Sequence, residues 1–231
     1  IDITGGSADR PINEVGTGSI RNLTINNSQT YNLHANLSLS GNLTLTTGTL
    51  TTVNSGGTNN SLTVAGVVTN NGTLTLNGSG THIDKLNGNS TITGNLTVGA
   101  NSKFSSGTRV FTVNGDVSVT GELDCDDSDK PMTFGSLTIN SGGTYIATSG
   151  TTTITSGFAW YNVSGTFTHN NGNVEFNDNA SHIRENTFYD LNINCNNSGG
   201  NIQWRDASGN TLTVANDLTI TSGTLKRETV T

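Results

Sequence analysis

The chain has 231 residues, 29 of them glycine, with only 12% charged residues and a net charge of −7. Ten Lys and Arg without a basic run exclude the electrostatic footprint of a nucleic-acid-binding protein, and no apolar run approaches the ~20 residues of a membrane span. A hydrophobic content of 31% is thin for one large globular core but suits the narrow core of a solenoid.

In chain order, residues 1–16 (IDITGGSADRPINEVG) stand apart. IDI and INEV read as short strands around a turn in which Pro11 fixes the backbone. The chain opens on Ile1 without Met or a signal peptide, as expected of a mature or trimmed product. From Ile20 onward, apolar residues alternate with Thr, Ser and Asn, the signature of strands with one buried face. Thr suits a solvated strand face, and Asn and Gly suit tight corners. No segment carries a 3.6-residue apolar period, so little or no helix is expected.

The stretch Leu37–Leu50, LSLSGNLTLTTGTL, returns at Leu212–Leu225 as LTVANDLTITSGTL, every position at the same offset. Its template is Φ-x-Φ-x-x-x-Φ-x-Φ-x-x-G-T-Φ, with Φ apolar. Shorter or partial copies begin at Leu62, Leu96, Phe111, Leu137 and Val163. Aligning the closing Φ at 50, 74, 104, 123, 145, 174, 202 and 225 divides the interval between the two full copies into seven uneven steps of 19 to 30. Leu76–Ile83 also resembles Phe176–Ile183, which would place His82 and His182 at equivalent positions. Self-similarity of this kind decides the fold. Corners this short cannot carry helical crossovers, and recurrent spacing favours a coil that returns on itself. The expectation is a single-domain, all-β parallel β-solenoid (β-helix) over residues 17–225, of about nine coils of roughly 25 residues each. An N-terminal extension (1–16) and a short tail (226–231) flank it. Inward positions include Leu37, Leu39, Leu43, Leu45, Leu62, Val64, Val117, Val119, Leu137, Ile139, Leu212, Val214, Leu218 and Ile220.

Several groups invite a chemical reading. Asp124, Asp126, Asp127 and Asp129 could wrap Ca²⁺ with oxygen ligands, but the loop lacks EF-hand spacing, and a solvated corner is the simpler reading. His34, His82, His169 and His182 have no partner at metal-ligand spacing. Phe158, Trp160, Tyr161 and Trp204 could form a sugar-stacking platform, although aromatics at such positions more often fill the core or a subunit contact. Cys125 and Cys195 fall nearly three coils apart, too far for an internal disulfide. No clustered acid, base and nucleophile is present, so no enzyme and no cofactor beyond the weak calcium candidate are expected. The many Asn-x-Ser/Thr triplets follow from composition.

The runs NVEFNDNASHIRENTFYDLNIN and NTLTVANDLTITSGTL resemble repeats of large secreted bacterial surface proteins, namely autotransporter passengers and filamentous adhesins with a right-handed parallel β-helix. The likeness spans about Ile20–Leu225 and implies fold and extracellular location more than function. The leading expectation is a structural subunit of an extracellular fibre or surface stalk. Its partner would be itself, joined head to tail through end coils and an N-terminal strand, with Ile1, Ile3, Ile12, Val15, Leu225 and Val230 at the joint. One alternative is a polysaccharide-binding or polysaccharide-cleaving β-helix of adhesin or tail-spike type. Another is an ice-binding solenoid, suggested by the Thr-rich strands, against which the uneven steps argue because an ice-binding face must be regular.

Overall fold

The computed structural model describes residues 2–3, 10–12, 20–52, 62–70, 73–76, 82–86, 89–100, 102–106, 108–126, 129–156, 160–178, 182–184, 187–195, 200–206 and 211–229. All regular structure among them is β-strand, and every named pairing is parallel. The protein is a parallel β-solenoid.

Each coil has three sides. The coil around Leu37–Thr51 shows the order: Leu37–Leu39 on one side, then Leu43–Leu45, then Thr49–Thr51. The last two sides belong to a sheet of 18 strands, and the Leu37–Leu39 side belongs to a sheet of seven, Leu37–Leu39 through Thr166–Thr168. We call the Leu43 side the first, the Leu50 side the second and the Leu37 side the third. Asp2–Ile3 and Arg10–Ile12 pair with Leu23–Leu33, so the ladder begins inside the N-terminal segment. It ends at Leu218–Ser222 and Thr224–Thr229. Seven turns carry a strand in both large sheets, against the nine expected, and the first-side ladder runs past them at both ends.

The period is shorter than the sequence alignment gives. On the first side, register runs from Thr44 through Thr69, Thr91, Thr112, Thr133, Thr153, Glu175 and Asn192 to Thr219. The interval from Thr44 to Thr219 is thus eight steps rather than seven, and a coil averages ~22 residues, near the short end of solenoid repeats. Leu50 does pair with Leu74, and Phe104 pairs with Leu123 and that with Tyr145. Leu74, however, pairs with Leu96 rather than Phe104. Leu74 lies on the second side and Phe104 on the third. Likewise His82 lies on the third side and His182 on the second, so they are not equivalent.

Alternate residues point into a dry core. Leu37, Leu39, Leu43, Leu45, Leu62, Val64, Val117, Val119, Leu137 and Ile139 are all buried. Between Phe104 and Phe188 the core is aromatic, with rings donated by all three sides. Phe104–Phe111, Phe134–Tyr145, Tyr145–Trp160 and Trp160–Phe188 have centroids 5.3, 5.8, 5.9 and 5.7 Å apart, mostly edge to face as ring quadrupoles prefer. The Tyr145 hydroxyl finds Thr152 Oγ1 at 2.8 Å.

Corners interlock from coil to coil. Asn22 Oδ1 accepts from the Asn42 N–H at 2.8 Å, Asn42 Oδ1 from the Val67 N–H at 2.9 Å, and Asn95 Oδ1 from the Asp116 N–H at 2.8 Å. The glycine beside each acceptor is required by close approach. A Cβ on Gly66 or Gly115 would stand 2.3 or 2.4 Å from Asn42 or Asn95 Oδ1. Gly48 and Gly223, the template glycines, have φ of +84° and +92°, a region that side chains disfavour. Composition thus becomes geometry: Asn supplies the acceptor and Gly the room.

Candidate functional site

Three surface features and one buried group stand out. The first is the last coil. Leu218 and Ile220 hold inward columns on the first side, yet they are 50% and 49% exposed. Every earlier member of those columns whose side chain is described is buried, from Leu23 and Ile25 to Leu191 and Ile193. Leu212, Val214 and Leu225 are partly buried against the core. Among the described residues, Leu218–Ser222 pairs with Asp190–Asn194 and with no other strand. The adjoining second-side strand, Thr224–Thr229, carries Lys226, Arg227 and Glu228. Arg227 lies over the Trp204 ring at 5.4 Å, and Arg205 Nε donates to Glu228 at 2.6 Å.

The second feature is a rank of threonines on the outer face of the first side. Thr24, Thr44, Thr69, Thr91, Thr112, Thr133 and Thr153 occupy one register position on seven successive coils. All are partly or fully exposed. A shorter rank, Thr51, Thr75, Thr97, Ser118 and Thr138, lies on the second side. Neither rank holds a charge until Glu175 and Arg184. Spacing along the chain varies within the long rank, but backbone hydrogen bonds hold neighbouring strands ~4.8 Å apart whatever the loop length. Uneven sequence steps therefore do not make an uneven face, and that objection to regularity falls. Six steps give a rank on the order of 29 Å long.

The third feature contains the calcium candidates. Lys103 Nζ bridges Glu122 at 2.7 Å and Asp124 at 2.5 Å across adjacent coils. Burial would raise the Asp124 carboxyl, but hydrogen bonds with Asp126 and Lys103 hold it below its ordinary value. Asp126 is exposed, and its N–H donates to Asp124 Oδ1 at 3.2 Å. Asp129 pairs with Lys130 at 2.8 Å. Asp127 lies outside the described residues. Among the described residues, no three His, Cys, Asp or Glu converge as metal ligands.

The buried group is Asp84, which the sequence reading passed over. Asp84 stands on the third side between Leu62 and Phe104, in a column otherwise apolar from Leu37 to Phe167. It is 2% exposed. Its Oδ1 accepts from the Leu62 N–H at 2.7 Å. Burial pushes its pKa up to about 7, against a smaller lowering from that bond.

The aromatic candidates separate. Trp160 is fully buried in the aromatic core and Trp204 is 6% exposed. Tyr161 faces outward with the Arg184 guanidinium 5.9 Å from its ring centroid. Phe158 lies outside the described residues. They do not form one exposed platform. His169 Nδ1 accepts from the Asn171 N–H at 3.1 Å and its ring lies 5.6 Å from Tyr189, a corner arrangement. Cys125 and Cys195 are free and buried. Burial pushes the Cys125 thiol up to about 12 and raises Cys195 also, which keeps both unreactive.

Of the expected joint residues, Ile12 pairs with Leu33 of its own chain and is buried, and Ile3 pairs with Ile25. Ile1, Val15 and Val230 lie outside the described residues. Among the described residues no helix is long and apolar enough to cross a membrane. In comparisons with known proteins, the chain matches no family model, no curated protein and no solved structure.

Proposed function

We propose that the protein is a structural segment of an extracellular fibre or surface stalk, extended by adding coil upon coil. The observation that carries this reading is the continuous parallel ladder, in which one register position runs from Thr24 through Thr44 to Thr219 with each coil stacked on the one before. An added parallel strand satisfies the edge N–H and C=O groups. The Thr-, Asn- and Gly-rich surface and the adhesin-like repeats are in keeping with a secreted location. The test is electron microscopy and light scattering of the 231-residue protein over a concentration series. Filaments that lengthen with concentration are expected. A monomer at every concentration overturns the reading.

The threonine ranks favour a second reading, ice binding. β-Branched side chains are stiff at χ1, so seven stacked Thr present methyl and hydroxyl groups in a fixed, uncharged array. The ~4.8 Å repeat of that array lies near the lattice repeat of hexagonal ice. Thermal hysteresis that disappears in Thr91→Lys with Thr112→Lys would favour it. Its absence in the parent protein would remove it.

A further inference from the structure

The outer face of the first side changes character where the threonine rank stops. The register position of Thr153 passes to Glu175, Asn192 and Thr219, and the position of Thr151 passes to Asn173 and Asp190. Asp217 stands one residue before Leu218, as Asp190 stands one before its partner Leu191. A groove of about 230 Å³ runs over these coils, lined by Asn173, Asp190, Leu191, Asn192, Asp217 and Thr219. The polar lining residues alternate with the inward positions Val174, Leu191 and Leu218, so they leave the sheet outward, across the direction in which coils stack. The groove therefore does not depend on what pairs with Leu218–Ser222.

Part of this polar surface is engaged in holding the walls. Asp190 Oδ1 accepts from Asn216 Nδ2 at 2.8 Å and from the Asp217 N–H at 3.0 Å. Asn192 Nδ2 donates to Glu175 Oε2 at 2.7 Å, and Asn192 Oδ1 accepts from Thr221 Oγ1 at 3.2 Å. Among the described residues, Asp190 Oδ2, the Asn173 amide and the Thr219 hydroxyl have no such partner, and all three residues line the one groove.

The chemistry of the lining narrows the ligand. No Lys or Arg lines the groove, and among the described residues Glu175, Asp190 and Asp217 make no ion pair. An anionic ligand would be repelled. Among the described residues no three carboxylates, thiols or imidazoles converge to hold a metal. A ligand dense in hydroxyls fits both facts. Its hydroxyls can donate to carboxylate oxygens in short charge-assisted bonds, and an amide or a threonine hydroxyl can answer either as donor or as acceptor. The volume falls below the ~300 Å³ of the smallest drug-sized pockets, which leaves room for one sugar ring. Asp217 and Thr219 are exposed, so a chain of rings can continue past the seated one.

We propose that this groove binds a neutral polysaccharide, with one sugar ring seated between Asp190 and Thr219. The site is independent of the fibre reading, since it needs no second copy of the chain.

The experiment is affinity electrophoresis of the full chain in gels containing dextran, mannan or galactan, with polygalacturonate as the acidic control. Retardation by at least one neutral polymer and none by polygalacturonate is expected. Thr219→Lys, which fills the groove from an exposed position, should abolish the retardation. Asp190→Asn, which keeps an acceptor for the Asp217 N–H, should weaken it. Thr44→Lys, in the same outward column on a distant coil, should leave it unchanged. Passage through every neutral gel without retardation overturns the proposal. So does retardation by polygalacturonate, or retardation that survives Thr219→Lys. Retardation that is lost on chelation would put a cation between protein and sugar and would also overturn it.

Discussion

Replacing Asp84 by Asn should make the solenoid less sensitive to pH. Asp84 is an acid in an apolar column, held by the Leu62 N–H at 2.7 Å. Leu62–Val64, on one neighbouring coil, brings no charged residue, and on the other Lys103 is engaged with Glu122 and Asp124. The Asp84 pKa rises from 3.8 to about 7 on folding, so the folded state binds the proton more tightly than the unfolded chain. Stability from this group is thus complete below about pH 3.8 and is lost as the pH rises through about 7. At 1.36 kcal/mol per tenfold change in proton affinity, the loss is about 4 kcal/mol. Asn keeps the acceptor for Leu62 and cannot ionise. The assay is urea unfolding followed by circular dichroism at pH 4, 6 and 8. Asp124, whose carboxyl is held low and which loses stability toward acid, is common to both proteins, so their difference isolates Asp84. The parent should fall relative to Asp84→Asn between pH 4 and 8. Parallel curves would refute the reasoning, as would a parent that gains on the variant with rising pH.

Gly115→Ala would place a Cβ 2.4 Å from Asn95 Oδ1 and 2.5 Å from the Gly94 carbonyl oxygen. It should lower the midpoint of urea unfolding by an amount equivalent to about 1–3 kcal/mol, whereas Gly142→Ala, with open space but a φ of +80°, should cost about 1 kcal/mol or less. Lys103→Met leaves the nearly buried Asp124 carboxylate without its lysine and should destabilise by about 1–3 kcal/mol, more than the near-zero effect of Lys130→Met at the exposed Asp129 pair. Calcium chelation should leave the melting temperature unchanged, because Lys103 and Lys130 already pair with Asp124 and Asp129. A fall on chelation, by mass action, would establish a bound cation.

The fold class was legible from alternation together with the recurrent template. A residue such as Leu43 must face inward if Thr44 faces out, because strand side chains alternate. The Gly-Thr corner at Gly48 and Gly223 was legible too, as a position where positive φ needs glycine. The similarity of Leu37–Leu50 to Leu212–Leu225 did mark true equivalents on the first side, where Thr44 and Thr219 share a column, but on the second side the column from Leu50 runs to Arg227, two residues past Leu225. The period was not legible, because all three sides carry the same Φ-x-Φ pattern and a sequence alignment can slide one side onto another. Alignment sets Phe111 against Leu37, although Phe111 lies on the first side and Leu37 on the third. Only register, set by backbone hydrogen bonds between coils, shows that Thr44 and Thr219 stand eight turns apart. Register also gathers the threonine rank from seven separate strands, and it shows Asp84 to lie in a core column.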